Sequence, residues 1–268
     1  MSQCHVSALF YYPVKSLAGI ALQSAEIEAL GIRYDRRWMV VDTSGRFVTQ
    51  RQHPQMALIQ VLLDNGHLKL SHALHGAVMV PDPQEDQDVQ VDIWDSSVTA
   101  WACHATVDTW LSEVLGISCR LVYFSETSER QIDTAFAQAG EQVAFADGFP
   151  LLVVNEATLE ALNAELAMPV PVQRFRPNIV LKGAQSLQEH QWQTLTIGDC
   201  MIDLVKPCSR CVMTTVDHQR GIRTSNEPFA TLQRFNNING KAVFGMNALC
   251  RKSGVIHVGD VVEIKTRK

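Results

Sequence analysis

Lys206-Pro207-Cys208-Ser209-Arg210-Cys211-Val212-Met213-Thr214-Thr215-Val216 sets two thiols three positions apart and follows them with a β-branched run. The residues after the second cysteine decide the fold class. A redox pair of the thioredoxin kind stands between a strand and a helix. Here Val212 to Val216 reads as a strand, which points to a β-rich architecture instead. A zinc half-site needs a second pair of ligands, and neither another Cys-x-x-Cys nor a compact histidine pair occurs. Two readings stay open: a single thiolate for a soft metal, with Lys206 and Arg210 supplying positive charge for an anionic cofactor, or a loop with two ordinary cysteines.

Outward from this stretch the β character continues. Short apolar or alternating runs occur at Val6 to Tyr12, Ile20 to Ile27, Trp38 to Asp42, Phe47 to Gln50, Leu58 to Leu63 and Leu68 to Ser71. Asp64-Asn65-Gly66 predicts a type I′ hairpin between the last two. Pro81 to Asp88 joins two prolines to four acids and predicts a solvated loop. Val89, Val91 and Ile93 then alternate with polar residues, and Val98 to Cys103 extends the pattern. Two helices stand out. Thr106 to Leu115 carries a stripe of Val107, Trp110, Leu111, Val114 and Leu115, stopped by Gly116. A second begins at the N-cap Asn155, with Leu159, Leu162 and Leu166 on one face. The expected class is α+β, mostly β: an N-terminal β-rich domain, barrel-like or a sandwich, over residues 1–120 and a mixed second domain with a few helices over 121–268.

The chain has 268 residues, 46% of them hydrophobic, and a formal charge of −5 from 23 basic and 28 acidic side chains. No global positive field exists to hold nucleic acid or an anionic membrane, so a polyanion must meet a local basic site. The N-terminus lacks the order of a secretory signal, and the apolar runs fall short of the ~20 residues of a membrane helix. Seven scattered cysteines fit a reducing compartment, and the expectation is a cytoplasmic protein.

Local basic sites do occur. Gln173-Arg174-Phe175-Arg176-Pro177-Asn178 puts two guanidiniums and an amide just before an apolar strand, where arginine suits phosphate and asparagine a heterocycle edge. Pro13-Val14-Lys15-Ser16 and Arg33-Tyr34-Asp35-Arg36-Arg37-Trp38 are further basic knots at strand ends. The nine histidines form no catalytic or ligand pattern, and Gly-rich phosphate loops are absent.

Taken in order, these motifs resemble one family, the proteins with a MOSC domain preceded by a β-barrel partner, such as the amidoxime-reducing components and their bacterial relatives. The likeness runs through Tyr12-Pro13-Val14-Lys15-Ser16, Asp35-Arg36-Arg37-Trp38, Thr49-Gln50-Arg51, Phe175-Arg176-Pro177-Asn178, Cys208-Ser209-Arg210-Cys211 with Thr214-Thr215-Val216-Asp217, Phe244-Gly245 and Val258-Gly259-Asp260. The resemblance implies a molybdenum cofactor with Cys211 as the metal's thiolate ligand and Cys208 of unassigned role. It places Lys15, Ser16, Arg36, Arg176, Asn178, Ser209 and Arg210 around the pterin and phosphate. Gly148 and Phe149 of Asp147-Gly148-Phe149-Pro150, and Asn247, match more loosely.

The implied activity is reduction of N-hydroxylated small molecules (amidoximes, hydroxylamines, hydroxylated nucleobases). The sequence carries no plant-type run of cysteines for an iron–sulfur cluster, so electrons are expected from a separate flavin or iron–sulfur protein. The competing expectation is a non-enzymatic carrier with persulfide or cofactor on Cys211.

Overall fold

The computed structural model describes residues 3–64, 66–83, 85 and 87–268. Its largest sheet runs in the order Ile20–Leu22, His5–Tyr11, Ile179–Lys182, Leu151–Asn155, Lys241–Lys252, Cys200–Ser209, Trp192–Ile197, Val262–Arg267. Only Leu151–Asn155 and Ile179–Lys182 run parallel, and the connection between them carries the helix Glu156–Ala164. All five residues of Leu151–Asn155 are buried, as befits a central strand covered on both faces. One face of the sheet packs Val6, Leu9, Val153, Leu181, Trp192, Ile202 and Met246 together. The other holds Phe10, Tyr12, Val154, Leu162, Phe175, Leu232 and Phe244. Successive residues such as Leu9 and Phe10 fall on opposite faces because strand side chains alternate.

The ladders leave this sheet open, although an isolated bridge between His5 and Val261 brings its ends together. Barrel-like therefore describes the curvature, and no closed barrel is formed among the described residues.

The first part of the chain adds a four-stranded sheet, Trp38–Asp42, Cys119–Tyr123, Ser96–Ala102 and Asp88–Ile93, and a three-stranded one, Gln60–Asp64, His67–His72 and Gly76–Val80. Helix Ala105–Leu115 buries Val107, Trp110 and Leu111 against Trp38, Leu68, Leu70 and Leu121. Gly116 ends it in the left-handed conformation at φ 68°. The two parts share strands: His5–Tyr11 lies inside the large sheet, and Ser24–Glu28 pairs with Gly254–His257.

Some local expectations are corrected. Val212–Thr215 is a 3-10 turn, not a strand. The Thr214 and Thr215 hydroxyls donate to the carbonyls of Cys211 at 3.1 Å and Val212 at 2.7 Å, a local bonding that competes with extended backbone. Phe47 to Gln50 forms only an isolated bridge from Phe47 to Val41. Helix Phe229–Phe235 has no counterpart among the expected elements. The strands flanking Asp64-Asn65-Gly66 do pair antiparallel. The turn type rests on Asn65, which lies outside the described residues, as do Gln84 and Asp86 of the acidic loop. No helix among the described residues is long and apolar enough to cross a membrane.

Candidate functional site

Where the ends of the sheet strands meet the loops of the first part, a cleft opens. Five cations line it, Lys15, Arg36, Arg51, Arg176 and Arg210, against one carboxylate, Asp147. In a chain of net negative charge, that concentration selects for an anionic ligand.

The backbone is bent to present these groups. Ser16, Arg36 and Arg176 adopt left-handed φ values of 68°, 49° and 54°. Such conformations cost a non-glycine residue roughly 1–3 kcal/mol and persist where the surroundings over-determine them. Here they do. Gln50 Nε2 donates to the Ser16 carbonyl at 2.6 Å, the Arg36 amide to the Tyr12 carbonyl at 2.8 Å and the Arg176 amide to the Gln173 carbonyl at 3.0 Å.

The floor is a stack. The guanidinium carbons of Arg36 and Arg176 lie 4.3 and 4.1 Å from the centre of the Tyr12 ring. Arg36 Nη1 donates to the buried Asp35 carboxylate and, at 3.2 Å, to Asn178 Oδ1; its Nη2 donates to the Arg176 carbonyl at 3.1 Å. Asn178 is 1% exposed and spends its amide on the frame: Oδ1 also accepts from the Leu152 amide at 3.1 Å, and Nδ2 donates to the Phe10 carbonyl at 3.3 Å. It joins three strands beneath the cleft. Arg176 Nη1 donates to the Leu17 carbonyl at 2.7 Å, while its Nη2 is buried with no partner. Burial, with Arg36 adding to it, lowers Arg176 to about 10, still a cation at neutral pH.

The wall is an ion cluster. Lys15 Nζ donates to the Phe145 carbonyl at 2.9 Å and to Asp147 Oδ1 at 2.5 Å. Burial lowers Lys15 to about 8 against the opposing pull of Asp147. Asp147 has a half-exposed side chain. Loss of solvation pushes its carboxyl up, but Lys15 and Arg51 together outweigh that and hold it below the usual carboxylate range. Arg130, behind the wall, donates to the carbonyls of Ala144, Ala146 and Asp147 and so fixes the Asp147-Gly148-Phe149 loop. An added Cβ on Gly148 would meet nothing within 4 Å, so this loop leaves open room at the cleft. Phe149 lines it, edge-on to Phe136.

Two thiols complete the site. Cys208 lines the cleft, with Arg210 Nη1 2.9 Å from its sulfur, and Arg210 Nη2 donates to the Phe175 carbonyl at 2.7 Å. Arg210 Nε is buried without a partner. Cys211 is half-buried at the start of the 3-10 turn, with Arg51 Nε 3.4 Å from its sulfur. Asn247 lines the cleft from the middle of Lys241–Lys252, opposite Leu152 and Lys206.

Of the site residues expected from sequence, Lys15, Ser16, Arg36, Gly148, Phe149, Arg176, Asn178, Arg210 and Asn247 converge on this one cleft. Cys211 reaches it through Arg51, and Ser209 is exposed outside its lining. Sequence reasoning misses two members of the site, Arg51 and the carboxylate of Asp147. Their mutual contact at 3.5 Å joins positions far apart in sequence, although both lie in stretches that carry the family likeness.

Two family models match the chain: the MOSC N-terminal beta barrel domain over residues 3–118 and the MOSC domain over 140–263. The "Mitochondrial amidoxime-reducing component 1" of Mus musculus is 35% identical over 96% of this chain and 81% of its own. The chain belongs to the MOSC family of the amidoxime-reducing components. The Homo sapiens "Mitochondrial amidoxime-reducing component 1" is 33% identical over 96% of this chain and 82% of its own. The "Molybdenum cofactor sulfurase" of Oryza sativa subsp. japonica is 28% identical over 92% of this chain but only 32% of its own. MOSC membership thus covers the two regions whose strands interleave around the cleft.

A pterin-phosphate cofactor bearing a metal fits the residues present. Arg176 Nη2 and Arg210 Nε are buried donors lacking acceptors, and Gly148 leaves space rather than filling it. Among the described residues no group of three or more His, Cys, Asp or Glu could hold a metal alone, so a metal here would bring most of its ligands with it.

Proposed function

We propose that this protein is a molybdenum-cofactor-dependent reductase of N-hydroxylated small molecules, supplied with electrons by a separate flavin or iron–sulfur protein in the cytoplasm. The observation that carries the reading is the convergence of five cations and two unsatisfied guanidinium nitrogens on a cleft beside a half-buried thiol. The relatives' name supplies the substrate class, and seven free cysteines agree with a reducing compartment.

When bound, the cofactor supplies two-electron reduction of an N–O bond at its metal. Arg36, Arg176 and Arg210 would hold the phosphate and pterin, and Cys211 would give the metal its protein thiolate. Asn178 and Arg130 act one step back, keeping the strand ends and the Asp147 loop in register. Lys15 is the cleft's cation nearest neutrality, so its Nζ can hold or release a proton as water leaves.

The test is to purify the chain from a cofactor-producing host, measure molybdenum per chain, and assay benzamidoxime reduction with an artificial reductant. Near-stoichiometric metal and turnover are expected. Cys211→Ala should lose both, while Cys208→Ala keeps the metal. Metal-loaded protein inert toward a panel of N-hydroxylated substrates overturns the enzymatic reading. The second reading, a carrier, draws on the sulfurase relative. It calls for added sulfur on Cys211 by mass spectrometry and for cofactor transfer to an apo-enzyme.

A further inference from the structure

Trp94 sits where its residue type is costly. Ile93 and Ser96 pair directly, so Trp94-Asp95 is a two-residue hairpin loop between Asp88–Ile93 and Ser96–Ala102. Trp94 has φ 54°, whereas Asp95 is not in the left-handed region. A positive φ at the first central position only is the type II′ arrangement, which glycine adopts most cheaply. A bulky aromatic there is an outlier that needs a reason. The side chain is also 45% exposed, so burial of its ring cannot be the whole reason.

The ring meets the cleft's cations. Arg51 Cζ lies 4.5 Å from the Trp94 ring centre, and Arg51 in turn places Nε 3.4 Å from Cys211 Sγ and Nη2 3.5 Å from Asp147 Oδ2. Phe47 leans on Trp94 with centroids 5.0 Å apart, and Lys15 Nζ lies 5.7 Å over Phe47. Phe47 and Trp94 thus form an aromatic roof over the two cations that share Asp147.

We infer that Trp94 is a positioning residue, held in its strained turn so that its ring fixes the Arg51 guanidinium between the Asp147 carboxylate and the Cys211 sulfur. A long, flexible arginine at a half-open rim has rotamer freedom to lose, and a ring face restricts it without neutralising it. The consequence for cofactor and turnover rests on the reading of Cys211 above; the geometric part does not.

Trp94→Gly separates the two roles of the residue. It relieves the turn but gives up the ring's contacts with Phe47 and Arg51, so thermal stability should change little while function falls. Arg51, freed from the ring, should react several-fold faster with phenylglyoxal, read peptide by peptide in the mass spectrum. Molybdenum retained per chain and benzamidoxime turnover should drop about tenfold, within the range a cation–π contact supplies. Trp94→Phe, which keeps a ring face, should restore both to within a few-fold. Unchanged phenylglyoxal reactivity of Arg51 in Trp94→Gly overturns the inference, as does undiminished metal retention with undiminished turnover in that variant. If the wild-type chain binds no molybdenum, the functional reading fails and Arg51 reactivity alone decides the role of Trp94.

Discussion

Replacing Arg176 by methionine sets the cost of a buried charge against its use. Arg176 is 6% exposed, its guanidinium stacked on Tyr12, bonded to the Leu17 carbonyl and close to a second cation, Arg36. Its fall from 12.5 to about 10 corresponds to roughly 3 kcal/mol spent keeping it charged. Against that, methionine forfeits a charge-assisted hydrogen bond of about 1.5–3 kcal/mol and a ring contact of about 0.5–2 kcal/mol. The opposing sums are of similar size. The cofactor-free variant should therefore unfold within about 2 kcal/mol of wild type, in either direction. Binding has no such compensation: the orphaned Nη2 is a donor waiting for an anion, and its loss removes about 3 kcal/mol, a factor of about 150 in affinity. The assay pairs thermal denaturation of cofactor-free protein with molybdenum and pterin retained after gel filtration. Retention equal to wild type would refute the claim that Arg176 is kept for an anion. A collapse of stability in the cofactor-free protein would refute the energy balance.

Lys15 gives a pH dependence. Its folded pKa of about 8 lies below the ordinary 10.5, so the fold disfavours the ammonium; that penalty is full below pH 8 and is relieved as pH rises from 8 toward 10.5. Anion binding to the cofactor-free cleft should run the other way, weakening above about pH 8 as Nζ loses its proton. Titrating inorganic phosphate across the pH range about 7 to 9.5 measures this, and a limb that survives Lys15→Met sinks the assignment. Gly245→Ala should lower the melting temperature strongly, because the residue stands at φ 76° and its new Cβ would fall 2.7 Å from the Val153 carbonyl oxygen. Gly140→Ala, at φ 89° with open space around it, should cost only the backbone strain of roughly 1–3 kcal/mol. Equal losses in the two variants would remove the steric argument.

The two long helices are legible in the sequence because each carries both a stripe and a cap: Gly116 ends the first, and Asn155 Oδ1 accepts from the Ala157 amide to start the second. Strand pairs bounded by turn residues are legible for the same reason. Val212 to Thr215 is not. β-branched residues favour strands on average, yet threonine hydroxyls can turn back on preceding carbonyls, and local composition does not say which wins. In the site, single motifs show charge but not convergence. Arg51 and Asp147 become visible only as each other's neighbours, and Trp94 only through a dihedral angle that its sequence context gives no cause to expect. The sequence presents Asn178 as a group for touching a ligand, whereas in this structure its amide is committed to Phe10, Leu152 and Arg36.

The strand His5–Tyr11 leaves the ribosome long before its partner Ile179–Lys182, and Ser24–Glu28 long before Gly254–His257. Early synthesis can settle the small sheets around Trp38, but one edge of His5–Tyr11 stays open until Ile179–Lys182 has emerged, and one edge of Ser24–Glu28 until Gly254–His257 has. Lys15 and Arg36 are made long before Cys208, Arg210 and Asn247, which line the same cleft. The cleft is therefore complete only once Cys200–Ser209 and Lys241–Lys252 have joined the sheet. Deletions within Gly254–His257 would harm Ser24–Glu28 as surely as the strand they remove.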